Sequence, residues 1–159
     1  MSHRVASLLL SVATAVIVFI LDQLSKTRWL VASDSPMGFS YLGGWVQSIN
    51  FHNSGITFSL PLPTILTLIV TFAALLWLCR EAVRAHREDQ RFELICIALI
   101  VGGAIGNAYD RIVFHYVRDW LLLWFRSAIN FADATIVVGA LGYAWLRTRE
   151  KVSIEVKET

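Results

Sequence analysis

Four aspartates lie where hydrophobic segments of this 159-residue chain begin or end, and they are the first candidates for chemistry. They are Asp22, Asp110, Asp119 and Asp133. An ionised side chain close to hydrocarbon is costly, so aspartates kept at such positions indicate a functional site.

Two of these carboxyl groups from different segments would suit general acid and base chemistry on a water molecule. Two aspartates about 3 Å apart share one proton, because both cannot be ionised together. One then activates water while the other protonates an oxygen of the substrate. This is the chemistry of an aspartic protease, which requires neither a metal nor a protein nucleophile. The residues alone leave open which two aspartates form the pair.

Other polar residues accompany the aspartates at helical spacing. Gly103, Asn107 and Asp110 lie on nearly one face of a helical pattern, and the next residue, Arg111, can pair with a carboxylate. A network of Asn107, Asp110 and Arg111 that only ties helices together is the structural alternative. Asn130 and Asp133 stand three residues apart at the start of the last apolar run and share a face.

Two further motifs each have two interpretations. Asp22 and Lys26, in Asp22-Gln23-x-Ser25-Lys26, are i,i+4 neighbours on one helix face. Lys26 either extends to the lipid headgroups or braces the site with Asp22. Asn53, in Asn53-x-Gly55, either belongs to an ordinary turn or holds a peptide backbone through its amide.

The elements that position these residues are predicted from composition. The chain is 56% hydrophobic and 16% charged, which is too apolar for a soluble domain of this length. Four apolar runs approach the ~20 residues that cross a bilayer as a helix. They cover roughly residues 5–24, 60–79, 91–110 and 129–146. We therefore predict a mainly α membrane protein with four transmembrane helices in one domain over residues 1–159.

The distribution of Lys and Arg predicts the orientation. With four spans both termini lie on one side, which would hold nine of the basic residues against five on the other. Such an excess marks the cytoplasmic side, so both termini are predicted to be cytoplasmic. The net charge of +2 reflects this bias. The sequence contains no basic patch with interleaved aromatics, so a nucleic acid partner is not predicted.

Two outer segments are predicted to flank the helices. Residues 45–53 alternate with a period of two, which predicts a strand in an outer β segment of roughly residues 38–59. We expect a small sheet on the outer membrane surface. Residues 115–126 place Val117, Trp120 and Trp124 on one face, which predicts an interfacial helical arm carrying Asp119.

No cofactor is predicted. The four histidines are scattered, without HExxH or paired-cysteine spacing, so a metal site finds no support. Cys79 and Cys96 lie at the inner ends of two runs, where packing thiols are the expected interpretation.

Taken together, the motifs closely resemble those of the bacterial lipoprotein signal peptidases (signal peptidase II) over nearly the whole chain. Each motif alone is weak and their joint order is specific. They are Asp22-Gln23-x-Ser25-Lys26, Asn53-x-Gly55, Gly102-Gly103-Ala104-x-Gly106-Asn107-x-x-Asp110-Arg111, Val117-x-Asp119 and Asn130-x-Ala132-Asp133.

The resemblance implies catalytic roles for Asp119 and Asp133. It also implies a surrounding set of supporting or substrate-binding residues: Asp22, Gln23, Lys26, Asn53, Gly55, Gly103, Asn107, Asp110, Arg111, Asn130 and Ala132. The implied activity is that of an aspartic endopeptidase at the outer, periplasmic face of the bacterial inner membrane. It would remove signal peptides from diacylglyceryl-modified prolipoproteins, cutting just before the lipidated cysteine. We expect a monomer surrounded by membrane lipids.

Two departures from the family pattern concern the fit of the substrate lipid. Gly55-Ile56-Thr57-Phe58 is bulkier than the usual Gly-Ala-Ala-Phe, and Ile129 stands where a Phe commonly precedes the asparagine. The alternative function is a small transporter or channel component that moves protons or ions through intramembrane Asp and Arg residues.

Overall fold

Four long helices and a small antiparallel sheet make up the computed structural model, which describes residues 3–33, 39–54, 63–124 and 127–158. The helices are α1 (His3–Ser33), α2 (Thr64–Arg87), α3 (Arg91–Val113) and α4 (Phe131–Glu158). The strands are β1 (Ser40–Tyr41), β2 (Val46–Asn53), β3 (Val117–Leu123) and β4 (Ser127–Ile129). A 3₁₀ turn over Leu42–Gly44 joins β1 to β2.

Three of these helices are long and apolar enough to cross a membrane. They are His3–Arg28 within α1, with a mean hydropathy of 2.4, and the whole of α2 and α3. The predicted spans are shorter than the helices: α1, for example, continues nine residues past predicted residue 24. The polar residues that end an apolar run do not end a helix, because Gln, Lys and Arg are good helix formers.

The sheet has the order β1-β2-β3-β4, and all of its neighbouring strands are antiparallel. The strand predicted at residues 45–53 is confirmed as β2. Of the predicted outer segment 38–59, residue 38 and residues 55–59 lie outside the described residues, and Gly55 is among them.

The helical arm predicted at residues 115–126 is wrong, because Val117–Leu123 form the strand β3. This strand pairs with β2 along most of its length on one side and with β4 over Leu121–Leu123 on the other, so it has strand neighbours on both sides. His115 and Trp124, which flank it, have φ values of 68° and 51°. Such left-handed residues interrupt a helix. The apolar spacing fitted both periods, and the available strand partners decided between them.

α3 packs against all three other helices. Its approach to α4 and α1 depends on glycine: a Cβ on Gly103 would lie 2.6 Å from the Ala132 carbonyl oxygen, and one on Gly102 would lie 2.6 Å from that of Ala15. Backbones that come so close bring the polar residues of three helices within hydrogen-bonding distance.

Candidate active site

A cavity of about 320 Å³ opens between α2, α3, α4 and the sheet. Asp119 and Asp133 both line it, together with Asn53, Asn107 and Arg111. The remaining lining residues are mostly apolar. The cavity therefore combines two carboxyl groups with amide donors and a hydrocarbon wall.

Asp133 is held by the way α4 begins. The Asn130 side-chain oxygen accepts the backbone N–H of Asp133 at 3.0 Å, and Asp133 Oδ2 accepts the backbone N–H of Asn130 at 3.3 Å. This reciprocal pairing is a capping box with Asn and Asp in the usual Ser/Thr and Glu positions. It fixes the carboxylate at the positive end of the helix dipole. Asn107 Nδ2 on α3 donates a third bond, to Asp133 Oδ1 at 2.8 Å.

Asp119 is held by the register of the sheet. It faces Phe51 across β2 and β3, so Asn53 lies diagonally across on the same face. Asn53 Nδ2 donates to Asp119 Oδ2 at 3.0 Å, and Asn130 Nδ2 donates to Asp119 Oδ1 at 2.7 Å. Asn130 therefore contacts both carboxyl groups.

The Asp119 side chain is 1% exposed. Burial and, after it, the negative charge of Asp133 raise the pKa of Asp119 to about 7, against the opposing effect of the Asn53 and Asn130 hydrogen bonds. A carboxyl group that titrates near neutral pH can act as an acid in water at that pH.

A buried cluster of charged side chains joins α1, α3 and β3. Lys26 Nζ contacts Asp22 at 2.7 Å and Asp110 at 3.1 Å, and all three side chains are fully buried. Arg118 on β3 contacts Asp110 at 2.7 Å and Gln23 Oε1 at 2.6 Å. Lys26 is fully buried, so its predicted extension to the headgroups is wrong, whereas the contact with Asp22 that both interpretations contain is present.

Asp22 ties α1 to the start of α4. Its Oδ1 accepts the backbone N–H of Ala132 at 3.0 Å, one residue before Asp133. The carboxylate reaches Ala132 by passing over Gly106, where a Cβ would lie 2.5 Å from Asp22 Oδ2. The position of the Asp22 carboxylate therefore requires a residue without a side chain at position 106 of α3.

Of the predicted site residues, Gly55 lies outside the described residues, and the others gather at this end of the helices. Asp119, Asp133, Asn53, Asn107 and Arg111 line the cavity. The rest are not part of the cavity lining but contact other residues of the set: Asp22, Gln23, Lys26, Gly103, Asp110, Asn130 and Ala132.

Sequence reasoning missed three residues at the site. Arg118 pairs with Asp110, whereas the alternative network drawn from the sequence contained Asn107, Asp110 and Arg111. Arg111 lines the cavity and donates to the Asn107 carbonyl oxygen at 3.3 Å. Thr67 and Thr71 line the cavity from α2. Their i,i+4 spacing within an apolar run was the signal that could have identified them.

The charges at this end of the protein nearly balance. Three cations, Lys26, Arg111 and Arg118, face the four aspartates. One shared proton on Asp119 and Asp133 would make the cluster neutral, which favours a singly protonated pair in a low-dielectric setting. Within the described ranges, no three His, Cys, Asp or Glu side chains are grouped so that they could hold a metal ion.

Comparison with known proteins gives a consistent result. The family model for signal peptidase (SPase) II matches residues 14–148. The lipoprotein signal peptidase of Pseudomonas aeruginosa is 30% identical over 167 residues, covering 88% of each chain. That of Pseudoalteromonas atlantica is 32% identical over 139 residues, covering 79% of this chain and 81% of its own.

The fold is also that of two solved structures. A bacterial membrane enzyme solved by the in meso method at 2.3 Å resolution superposes with a TM-score of 0.72 at 22% identity, over 89% of this chain and 88% of its own. A second, solved at 1.9 Å, gives a TM-score of 0.68 over 86% and 90%. The two strands that carry Asn53 and Asp119, the capped α4 and the polar end of α3 thus occur in a chain that belongs to the signal peptidase II family.

Proposed function

We propose that this protein is an aspartic endopeptidase that removes signal peptides from diacylglyceryl-modified prolipoproteins, cutting just before the lipidated cysteine. Asp119 and Asp133 are the proposed catalytic residues. The observation that carries the assignment is that both carboxyl groups line one cavity and both accept a hydrogen bond from Asn130, Asp119 from its side-chain amide and Asp133 from its backbone N–H. The names of the relatives support peptidase activity, and the transporter alternative finds no support in them.

In the proposed mechanism the pair holds one proton. Asp133, at the positive end of α4, is the ionised member and takes a proton from water as the water attacks the scissile carbonyl. Asp119, with its pKa near 7, donates the shared proton to the carbonyl oxygen. The tetrahedral intermediate then collapses: the C–N bond breaks, the proton held by Asp133 passes to the leaving amine, and one hydroxyl of the intermediate returns its proton to Asp119, which restores the singly protonated pair. The two groups act as one titrating unit throughout.

The walls of the cavity suit a lipidated peptide. Its polar lining includes Asn53 and Arg111, whose side chains carry N–H groups of the kind that bind peptide carbonyls. Its apolar lining includes Ile129, Ile136 and Val137, against which an acyl chain can be buried. The branched Ile129 in β4 replaces the aromatic residue common in the family, so we expect it to alter the preferred lipid and leave the chemistry unchanged.

We further propose that α4 is a fourth span of a single-domain monomer, with both termini in the cytoplasm and the cavity at the periplasmic side. Its 28 residues cover about 42 Å, which exceeds the thickness of a bilayer core. The nine-to-five distribution of basic residues supports this orientation. The sheet would then lie on the outer membrane surface.

The decisive assay uses the purified full chain in detergent with a diacylglyceryl-modified prolipoprotein. We expect a shortened product whose new N-terminus is the lipidated cysteine. The same prolipoprotein without lipid, and the enzyme carrying Asp133→Asn, serve as controls. Equal cleavage of the unmodified substrate would refute the proposed substrate class, and full activity of Asp133→Asn would refute the catalytic assignment.

A further inference from the structure

A carboxamide at the centre of the site has its orientation dictated by a buried lysine. Asn107 Oδ1 accepts hydrogen bonds from Lys26 Nζ at 3.1 Å and from Asn130 Nδ2 at 3.2 Å. Its Nδ2 donates to Asp133 Oδ1 at 2.8 Å. An ammonium group has three donors and no acceptor, so only the amide oxygen can face Lys26. The amide nitrogen must then face Asp133.

The neighbouring carboxamide is oriented by the same logic. Asn130 Oδ1 is bound by the backbone N–H of Asp133, which can only donate. Asn130 Nδ2 is therefore directed to Asp119 Oδ1 and to Asn107 Oδ1. Asn107, which accepts from Lys26 and from Asn130, thus delivers an N–H to Asp133, and Asn130, which accepts from the Asp133 backbone N–H, delivers one to Asp119.

We propose that Lys26 is a positioning residue for catalysis, which acts by holding the Asn107 amide so that its N–H faces Asp133. This inference rests on the proposed roles of Asp119 and Asp133. The N–H at Asp133 Oδ1 favours the ionised form of Asp133, because a hydrogen bond donated to a carboxylate stabilises its charged state. Lys26 thereby helps to keep the proton of the pair on Asp119.

Lys26 also has a charge-balancing role that must be separated from this one. The charged groups around Asp133 come from α1, α3 and β3: Asp22, Lys26, Asp110, Arg111, Arg118 and Asp119. Lys26→Met alone leaves Asp22 without its ion-pair partner, and breaking a buried pair is strongly destabilising. The double variant Lys26→Met/Asp22→Asn removes one charge of each sign. Asn at position 22 can still accept the Ala132 N–H through its amide oxygen.

The experiment compares the parent with the single and the double variant in three measurements: thermal stability, kcat and KM, and carbon-13 NMR titration of labelled aspartate. We expect the double variant to recover most of the stability lost in Lys26→Met. Its kcat should remain at least about tenfold below that of the parent, with KM changed less than about threefold, because a donor misplaced by about 1 Å can cost about 100-fold in rate. The acid limb of its kcat profile and the NMR midpoint of the pair should both move to higher pH, since the ionised pair has lost a hydrogen bond.

A second comparison covers the case in which the double variant does not fold. Lys26→Arg keeps a side chain that only donates, whereas the Gln of Lys26→Gln can also accept and does not dictate the amide orientation. We expect kcat per folded molecule to be about tenfold higher in Lys26→Arg than in Lys26→Gln. Parent-like kcat and NMR midpoint in the double variant, or Lys26→Gln equal to or faster than Lys26→Arg, would overturn the inference. A parent that fails to cleave the lipidated substrate would instead refute the proposed function, and the NMR midpoint would still report on Lys26.

Discussion

Replacing Gly106 with alanine tests whether the close approach of α1, α3 and α4 positions the site. The added methyl group would lie 2.5 Å from Asp22 Oδ2, so the carboxylate must move away from α3. That movement breaks the bond from the Ala132 N–H to Asp22 Oδ1, which anchors the first turn of α4. Asp133, the next residue, loses its fixed position.

The expected change in the free energy of unfolding is the sum of three contributions. A hydrogen bond to a charged group contributes about 1.5–3 kcal/mol. Overpacking a well-packed interior costs about 1–3 kcal/mol. Replacing a helical glycine by alanine stabilises by about 1 kcal/mol in the opposite direction. We therefore expect Gly106→Ala to lower the free energy of unfolding by about 1.5–5 kcal/mol.

The matched control is Gly142→Ala in α4. Among the described residues, its Cβ would come close only to the Cys96 sulfur, at 2.8 Å, which can move by side-chain rotation. Thermal unfolding in detergent and cleavage of the lipidated prolipoprotein are measured for both variants. Gly106→Ala should lose stability and at least about tenfold in cleavage rate, while Gly142→Ala should stay close to the parent. A Gly106→Ala protein with parent-like stability and rate would show that the contact with Asp22 does not position the site.

Four further predictions follow from the same geometry. Asp119→Asn and Asp133→Asn should each abolish cleavage and leave the protein folded, with no additional loss in the double variant, because the pair acts as a unit; additive kinetic losses would contradict this. Arg118→Met leaves the fully buried Asp110 carboxylate with Lys26 as its remaining ion-pair partner, so we expect a loss of about 3–5 kcal/mol of stability, and an unchanged unfolding temperature would refute the structural role. The pKa of Asp119 is raised to about 7, so between about pH 4 and pH 7 the folded protein holds a proton there that the unfolded protein releases. The free energy of unfolding should therefore fall as the pH rises from about 4 to about 7. This part of the pH dependence should disappear in Asp119→Asn. Single cysteines at Glu88 and Ser48, in a background without the native cysteines, should react with an impermeant reagent from outside only at position 48, and the reverse pattern would overturn the proposed orientation.

The helices and β2 could be predicted because their signals are local. Apolar runs of nearly 20 residues predict long helices in any context, and the period of two in residues 45–53 predicts a strand with one buried face. The ends were less predictable, since α1 continues to Ser33 through residues that form helix as well in water as in lipid. β3 could not be predicted with the same rules. Its apolar residues fit a helical face, and the choice was made by β2 and β4, which offered hydrogen bonds on both sides.

The partners of the charged residues were likewise predictable where the contact is local in the sequence, and not where it depends on the tertiary structure. Asp22 and Lys26 are one helical turn apart, so their contact follows from sequence spacing. The contact between Asp110 and Arg118 depends on the turn between α3 and β3, which brings the strand back over the end of the helix. The sequence offered the neighbouring residue Arg111 as a member of the same network, and this residue lines the cavity.

The sequence by itself determined the class of protein, the family and the set of residues that gather at the site, because apolar length, motif order and residue type are all properties of the chain. The assembly of that set around one cavity was decided only in three dimensions. Asp119 and Asp133 lie on a strand and on a helix, and their link is a side chain, Asn130, that caps the helix while it donates to the strand. The contact between Asp22 and Ala132 spans 110 residues and passes over a glycine. Contacts of this kind depend on how closely three backbones pack, which no local pattern in the sequence specifies.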